Sequence, residues 1–389
     1  MALPPGISQS QFSSILREFA DAIGSDWVFS SDEDVALYRD SYSIYWGEAE
    51  ERIASAAVAP ANTEEVQAIV RIANRHGVPI HPISTGRNLT YGGAAPTTSG
   101  SVVVDLKRMN RVLEVDDERN FALVEPGVSY FDLYNYIKEH DLNVMLDVPD
   151  PGWGSPMGNS LDHGVGYTMG PYRDHFGSHC GLEIVTADGE VMRTGMGALP
   201  GSDTWQDYRY GVGPMVDGLF AQSNFGIVTK MGVWLMPRPE TFMMATINVP
   251  RYQDFAEMTR QVSYLEDSFL SGMPIWASPA ANTSAIGTSP EALALMEDGW
   301  PSVERCEQFV RDSGRPAIAA NLKYYGPEES VRGNWAATKR RFAKAIPGAT
   351  FEDGELLELP IAEEHEEAFG DKAQLGIPAL DIFHIVRRM

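Results

Sequence analysis

Two glycine-rich stretches decide the fold expected of this chain: Ser84–Gly93, which reads STGRNLTYGG, and Gly152–Tyr167, which reads GWGSPMGNSLDHGVGY. Each follows directly after a predicted strand. Glycine lacks a Cβ, so a loop rich in glycine can adopt positive φ and bring several backbone N–H groups against one phosphate. We therefore expect the two stretches to hold the pyrophosphate of a nucleotide between them. The nearest matches to the Rossmann pattern G-x-G-x-x-G are GMGALPG and GVGYTMG, whose spacing is wrong, and a different dinucleotide fold is predicted.

The first stretch follows a predicted β-α-β unit. Arg52–Ala59 has the composition of a strand, Thr63–His76 has the apolar periodicity of a helix, and Val78–Ile83 is the next predicted strand. Open α/β sheets usually bind their ligands at strand ends. The β-α-β unit therefore delivers the glycine-rich loop to a position suited to ligand binding.

The remaining pattern predicts two domains, as expected for a chain of 389 residues. After Pro237 and Pro239 the composition changes, and the boundary is placed between residues 1–240 and 241–389. A capping box is predicted at Ser30-x-x-Glu33 and a hairpin turn at Asp188-Gly189. The other predicted helices are Ser8–Gly24, Ser129–Glu139, Tyr252–Glu266 and Glu328–Ala345; the other predicted strands are Ser101–Asp105, Val112–Val115, Phe121–Val124, Phe242–Val249, Ile318–Tyr324 and Ala349–Phe351.

Charge and composition exclude several classes of function. The net charge of −24 and the pI of about 4.6 oppose binding to nucleic acids or anionic membranes, which are also polyanions. No stretch approaches the ~20 consecutive apolar residues that cross a bilayer. The start, MALPPGISQSQF, lacks the basic and apolar regions of a secretory signal. A cytoplasmic location is therefore expected.

Five longer runs carry a family resemblance: PISTGRNLTYGGAAP, ALVEPGVSYFDLY, MLDVPDPGWGSPMGNSLDHGVGYT, VMRTGMGALPGSDTW and QSNFGIVTKMGVWLMP. In this order they resemble the vanillyl-alcohol oxidase and p-cresol methylhydroxylase family of FAD enzymes, close to its eugenol oxidase-like members. The resemblance is dense over residues 50–240 and thinner afterwards, where LKYYGPEE, KAIPGATF and GIPALD carry it. It implies an α+β fold, with a two-subdomain PCMH-type FAD-binding domain and N-terminal helices over residues 1–240 and a partial α+β cap domain over residues 241–389.

The resemblance also implies which residues hold FAD. The family segment that grips the pyrophosphate corresponds to the first glycine-rich loop, and a second segment runs along the diphosphate and the flavin. A strand that meets the cofactor through its backbone completes the set. The implied residues are Ser84, Thr85, Gly86, Arg87 and Asn88; Ser155, Gly158, Asn159, Gly166 and Tyr167; and Gly226, Ile227 and Val228. Plain turns for the glycines and a surface salt bridge for Arg87 remain the alternatives.

Two residues are the catalytic candidates that the resemblance implies. Tyr91 matches a tyrosine that helps to hold the phenolic oxygen of the substrate, and a core tyrosine is its alternative. Asp150 matches an acidic residue that acts as a base near the flavin in oxidase members. A turn residue before Pro151 is the alternative for Asp150. Because an ionised phenol needs strong donors or a cation nearby, both residues suit a site that stabilises a phenolate.

The implied function is FAD-dependent oxidation of a small para-substituted phenol, such as a 4-hydroxybenzyl alcohol or a 4-alkylphenol, with hydride transfer from the benzylic carbon. The acidic Asp150 favours oxygen as the electron acceptor. The alternatives are a methylhydroxylase or dehydrogenase that passes electrons to a cytochrome, and a non-catalytic flavin-binding chain. A homo-oligomer is expected.

The family continues beyond the point where this chain stops, so a C-terminal truncation is expected. The family's flavin-attachment residue and a Tyr-Arg pair that completes phenolate binding then fall outside the chain, and FAD is expected to be noncovalent. Cys180 and Cys306 are interpreted as buried thiols, with a flavin thioether at Cys180 as the less favoured alternative. His175 and His179 stand at i and i+4, but without a recurring carboxylate frame no metal site is predicted.

Overall fold

The computed structural model describes residues 2–88, 93–149, 152–278, 295, 301–362, 366 and 372–380. Among these, the α-helices are α1 Gln9–Ile23, α2 Asp32–Ala36, α3 Thr63–His76, α4 Tyr130–Glu139, α5 Pro156–Leu161, α6 Gly170–Arg173, α7 Phe255–Asp267, α8 Val303–Ser313 and α9 Glu328–Ala345. The strands are β1 Val28–Phe29, β2 Ala56–Val58, β3 Ile80–Ile83, β4 Val102–Asp105, β5 Val112–Asp116, β6 Phe121–Val124, β7 Val144–Met145, β8 His179–Thr186, β9 Val191–Arg193, β10 Gly226–Trp234, β11 Met236–Pro237, β12 Thr241–Val249, β13 Ile275–Ala277, β14 Ile318–Gly326, β15 Thr350–Glu352 and β16 Leu356–Glu358.

The chain forms two compact units. The first contains the described residues of Met1–Val144, Gly152–Val165 and Asp174–Leu235. The second contains those of Met145–Pro151, Gly166–Arg173 and Met236–Met389. The main boundary lies close to the one predicted after residue 240, but two short segments that precede it in the chain belong to the second unit. The predicted α+β fold is confirmed.

A mixed four-stranded sheet in the first unit has the order β1-β2-β4-β3. Strands β2 and β3 both run parallel to β4, which lies between them, so the predicted β-α-β unit is present with one strand inserted. Helix α3 connects β2 to β3 and packs Val66 and Ile69 into the core that contains Val102 and Val104. The helix occupies the residues predicted for it, and it ends at Gly77, whose φ of 65° is the left-handed conformation that glycine adopts without strain.

An antiparallel five-stranded sheet completes the first unit, in the order β5-β6-β10-β8-β9. The Asp188-Gly189 turn joins β8 to β9 as predicted, and Gly189 takes a φ of 82°. One predicted start was wrong by a residue: helix α2 is capped by Ser31, whose Oγ accepts from the backbone N of Asp34 at 3.1 Å. Both Ser30 and Ser31 have an acidic residue three positions later, so local sequence alone did not separate them.

The second unit contains a sheet in the order β13-β14-β12-β15, with β16 also pairing with β12. Helices α7 and α9 contribute Met258, Val262, Trp335 and Phe342 to its core. Its strands β13 and β16 were not predicted, because each has only three residues and too little alternation to recognise. Within the described residues, no helix has the length and hydropathy that a membrane span requires.

Candidate cofactor-binding site

The first glycine-rich loop leaves β3 at Ile83 and turns sharply at Gly86, whose φ is +64°. A Cβ at Gly86 would lie 2.9 Å from Ile83 Cδ1 and 3.0 Å from Ala94 Cβ, so only glycine fits this turn closely. Thr85 is buried, whereas Arg87 and Asn88 are exposed. The Asn88 side chain accepts from the backbone N of Gly93 at 2.5 Å.

The second glycine-rich stretch lies directly against the first. It forms α5, whose N-cap Ser155 accepts from the backbone N of Gly158 at 2.8 Å. A Cβ added at Gly158 would lie 2.2 Å from Ser84 Oγ and 3.0 Å from Ser155 Oγ. The guanidinium carbon of Arg87 lies 5.8 Å from the centre of the Trp153 ring, within cation–π range. The structure thus brings together the predicted residues of both stretches in the first unit.

The third predicted segment, Gly226–Val228, begins β10 and pairs with Val185 and Ile184 of β8. A Cβ on Gly226 would lie 2.4 Å from Ile184 Cγ2 and 3.0 Å from the Val185 carbonyl oxygen. Ile227 belongs to the core that helix α3 covers. The packing of its side chains therefore holds this segment in place.

Two predicted residues, Gly166 and Tyr167, belong to the second unit. The backbone N of Gly166 donates to the Arg173 carbonyl at 3.0 Å. The Tyr167 ring faces Lys323 Nζ at 5.2 Å, and Lys323 is fully buried. Burial of an ammonium is costly unless nearby groups stabilise the charge, and an aromatic face is one such group. Sequence analysis did not identify Lys323, because a lone lysine in a strand carries no signal of its burial.

Asp147 anchors the chain just before the predicted catalytic aspartate. Its Oδ2 accepts from the backbone N of Thr168 at 2.7 Å and also from Thr168 Oγ1. Thr168 is fully buried, and its carbonyl accepts from the backbone N of Met273 at 3.2 Å. Asp150 and Tyr91 themselves lie outside the described residues, so their predicted catalytic roles remain predictions.

The two histidines with i, i+4 spacing have separate partners. His175 Nδ1 contacts the amide oxygen of Asn159, whereas His179 Nε2 lies 3.0 Å from Asp217 Oδ1. His179 Nδ1 contacts the Phe176 carbonyl, so both ring nitrogens of His179 face acceptors. Within the described part of the chain, no group of three or more metal-ligating side chains is present. The pair is explained by hydrogen bonding within the protein.

Buried charges stabilise the sheet that carries β10. Burial raises the pKa of Asp217, but the hydrogen bonds from His179 and Thr194 outweigh it and hold that pKa below its usual value. Glu183 is similar: burial raises its pKa, but the hydrogen bonds from Lys230 and Arg193 outweigh this effect and hold the pKa below its usual value. Cys180 is fully buried on β8, and burial raises the pKa of its thiol to about 12. Cys180 is therefore a core residue without thiolate character at neutral pH.

The residues of the first unit fit an FAD pyrophosphate by three observations. Glycines stand where side chains would fill the junction of the two stretches, as the 2.2 Å approach at Gly158 shows. The Arg87 guanidinium supplies a positive charge at the edge of the first loop. Within the described residues, no acceptor is bonded to Asn159 Nδ2, so this donor is available to a ligand. A pyrophosphate requires such donors and close backbone approach.

Comparisons with known proteins agree with this geometry. A family profile described as FAD binding domain matches residues 54–195. The chain is 36% identical to the 4-cresol dehydrogenase [hydroxylating] flavoprotein subunit of Pseudomonas putida, over 98% of this chain and 72% of that protein. The crystal structure of p-cresol methylhydroxylase with substrate bound superposes with a TM-score of 0.84 at 36% identity, covering 99% of this chain and 73% of the other.

A second solved structure matches to nearly the same extent. It is the 4-ethylphenol oxidase from Gulosibacter chungangensis in complex with isoeugenol, with a TM-score of 0.83 and 36% identity over 99% of this chain and 73% of that one. The two relatives are equally similar to this chain, but one is named a dehydrogenase and the other an oxidase. The glycine-lined site and these similarities together place the chain in the vanillyl-alcohol oxidase and p-cresol methylhydroxylase family, whose members are FAD-dependent oxidoreductases.

Proposed function

We propose that this chain oxidises para-substituted phenols, with hydride transfer from the benzylic carbon of a 4-alkylphenol or 4-hydroxybenzyl alcohol. The observation that carries the proposal is the equal 36% identity to a 4-cresol dehydrogenase subunit and to a 4-ethylphenol oxidase. Their named substrates share a phenol with a para alkyl group and differ by one carbon. We therefore propose the shared substrate class, a phenol with a para alkyl group, and not one of the two named substrates.

Bound FAD would supply the hydride acceptor, and the protein would supply binding, orientation and electrostatics. In the proposed site, the loop at Thr85–Asn88 and the segment at Ser155–Asn159 hold the pyrophosphate, and Gly226–Val228 supports the cofactor through its backbone. The flavin-binding roles of Gly166 and Tyr167, which belong to the second unit, stay predictions. A noncovalent cofactor is part of this proposal.

Tyr91 and Asp150 are proposed to act on the substrate. The Tyr91 hydroxyl would donate to the phenolic oxygen and favour its ionised form, which is the form that releases hydride from the benzylic carbon. Asp150 would then accept a proton, either from water that adds to the oxidised substrate or from the hydroxyl of a benzylic alcohol. The products are a benzylic alcohol in the first case and an aldehyde in the second.

The experiment is anaerobic addition of 4-ethylphenol to the FAD-loaded protein, followed by the flavin absorption band. We expect the band to bleach with 4-ethylphenol and to persist with 4-ethylanisole, whose methyl ether cannot ionise. Bleaching by neither compound, nor by 4-cresol or vanillyl alcohol, would refute the proposed activity. Tyr91→Phe is expected to slow bleaching and Asp150→Asn to slow product formation during turnover, while FAD stays bound in both.

Oxygen is the proposed electron acceptor, on the basis of the acidic residue at Asp150. The name of the Pseudomonas relative, a flavoprotein subunit of a dehydrogenase, supports a protein acceptor as the second candidate. Mixing the reduced protein with aerated buffer and, separately, with an oxidised c-type cytochrome distinguishes them. Rapid return of the flavin band in aerated buffer supports oxygen; slow return there with rapid cytochrome reduction refutes it.

A further inference from the structure

His175 lies behind the second glycine-rich stretch and is 4% exposed. A single bridge between Val165 and Asp174 turns the chain back, and the backbone N of His175 donates to the Gly164 carbonyl at 3.2 Å. The His175 carbonyl in turn accepts from Ser160 Oγ at 2.9 Å. These contacts place the imidazole against α5, although His175 follows that helix by more than ten residues.

The ring contacts the part of α5 that is proposed to meet the cofactor. His175 Nδ1 contacts Asn159 Oδ1, and the Tyr130 hydroxyl lies 3.3 Å from the same nitrogen. An amide oxygen only accepts hydrogen bonds, so Nδ1 carries the proton and donates to Asn159. This bond determines the rotation of the Asn159 amide about its last torsion angle.

Gly164 holds the other side of the same amide. A Cβ at Gly164 would lie 2.2 Å from Asn159 Oδ1 and 2.5 Å from its Nδ2. The backbone N of Gly164 also donates to the Asn159 carbonyl at 2.8 Å. With its oxygen directed to His175 and its flank against Gly164, the amide presents Nδ2 as its donor. A donor whose orientation is preset loses less conformational entropy when a ligand binds.

We propose that His175 is a positioning residue for FAD binding, which acts by holding the Asn159 amide so that Nδ2 donates to the cofactor. The inference rests on the proposed cofactor site at Asn159. If the Nδ1 donor is removed, the half-buried Asn159 oxygen loses its partner and the amide rotates to find another. The Nδ2 donor is then misdirected, so His175 acts through Asn159.

The test compares His175→Leu, which has no donor, with His175→Asn, whose amide nitrogen can take the place of Nδ1. The apoproteins are titrated with FAD, and the Kd is measured from the quenching of FAD fluorescence. Losing one hydrogen bond of ordinary strength predicts a Kd about three- to tenfold higher for His175→Leu. We expect His175→Asn to restore most of the affinity. Melting temperatures of both apoproteins report any general loss of folding, which a donor role alone does not predict.

A double-mutant cycle identifies the residue through which His175 acts. On an Asn159→Ala background, His175→Leu is expected to change the Kd by less than twofold. An undiminished effect of His175→Leu on that background overturns the inference, and so does equal weakening by His175→Leu and His175→Asn. An unchanged Kd for Asn159→Ala alone overturns both the inference and the proposed role of Asn159, whereas flavin bleaching by 4-ethylphenol tests the proposed activity separately.

Discussion

Replacing Gly158 by alanine tests whether the contact between the two glycine-rich stretches forms the cofactor site. The new Cβ would lie 2.2 Å from Ser84 Oγ, 3.0 Å from Ser155 Oγ and 3.3 Å from Ser84 Cβ. Ser84 can rotate its hydroxyl away, but its Cβ stays close. Ser155 cannot rotate without losing its 2.8 Å capping bond to the Gly158 amide. The two stretches must therefore move apart.

The size of the effect follows from two opposing contributions. Inserting a methyl group into a closely packed site costs about 1–3 kcal/mol. Replacing glycine by alanine inside a helix returns up to about 1 kcal/mol. With about 2 kcal/mol, the middle of that range, as the cost of insertion, the net loss is about 1–2 kcal/mol. This loss corresponds to an FAD Kd about five- to thirtyfold higher, if the displaced loop is the one that binds the cofactor.

The assay is FAD titration of the apoprotein, with Gly154→Ala as the matched control. Gly154 lies in the same stretch, but a Cβ there would meet no atom within 4 Å, and we expect its FAD affinity to be unchanged. Adding Ser84→Ala to Gly158→Ala should recover part of the affinity relative to Ser84→Ala alone. Wild-type affinity in Gly158→Ala, or an equal loss in Gly154→Ala, would refute the reasoning.

Three further predictions concern the buried charges and thiols. Glu183→Gln should lower the free energy of unfolding by about 2–3 kcal/mol, because it leaves Arg193 and Lys230 without their carboxylate. Denaturant unfolding measures this loss, and the control Glu190→Gln, at an exposed ion pair, should lower the free energy of unfolding by less than about 0.5 kcal/mol. Asp217→Asn should destabilise the protein at pH 7, because the lowered pKa of Asp217 means that its carboxylate stabilises the folded state. That contribution is present above the unfolded pKa of about 3.9 and is lost as the pH falls through the lower folded pKa, so the difference in melting temperature between mutant and wild type should shrink as the pH falls below about 3.9. A constant difference would contradict this. Burial raises the pKa of the Cys180 thiol to about 12, so native Cys306→Ser protein should resist iodoacetamide at pH 8 and react only after unfolding; labelling of the native variant, read by mass spectrometry, would show that Cys180 is accessible.

The substrate and the acceptor depend on different parts of the proposal. The names of both relatives support a para-substituted phenol as the substrate, whereas one names a dehydrogenase and the other an oxidase, so they do not agree on the electron acceptor. The bleaching experiment and the reoxidation experiment are therefore independent. A protein that bleaches with 4-ethylphenol but reoxidises slowly in air would retain the proposed substrate class and change only the acceptor.

The sequence was sufficient to predict those helices and turns that depend on residues close together in the chain. Helix α3 was predicted over Thr63–His76 and occupies those residues, because its apolar spacing and its Gly77 cap both act within one helix length. The Asp188-Gly189 hairpin was predicted for the same reason. The start of α2 was wrong by one residue, since two adjacent serines offered equivalent caps and only the path of the chain selected Ser31.

The candidate site was predicted in part. Glycines marked both stretches, because positive φ and close backbone approach leave a visible signature in sequence. The direct contact of Ser84 with Gly158 joins positions far apart in the chain and needed the structure. His175 had been considered only as a metal ligand, and its contact with Asn159 depends on the Val165–Asp174 bridge that folds the chain back.

The sequence by itself determined the glycine-lined loops, the main helices and strands, and the family to which the chain belongs. These follow from the conformational freedom of individual residues and from short-range periodicity, which the order of residues expresses directly. Only the tertiary structure decided that Glu183 meets Lys230, that Tyr167 faces Lys323, and that His175 supports Asn159. Such pairs depend on strand order and on the burial of each charge, because a buried polar group must find its partner wherever the fold brings one within reach.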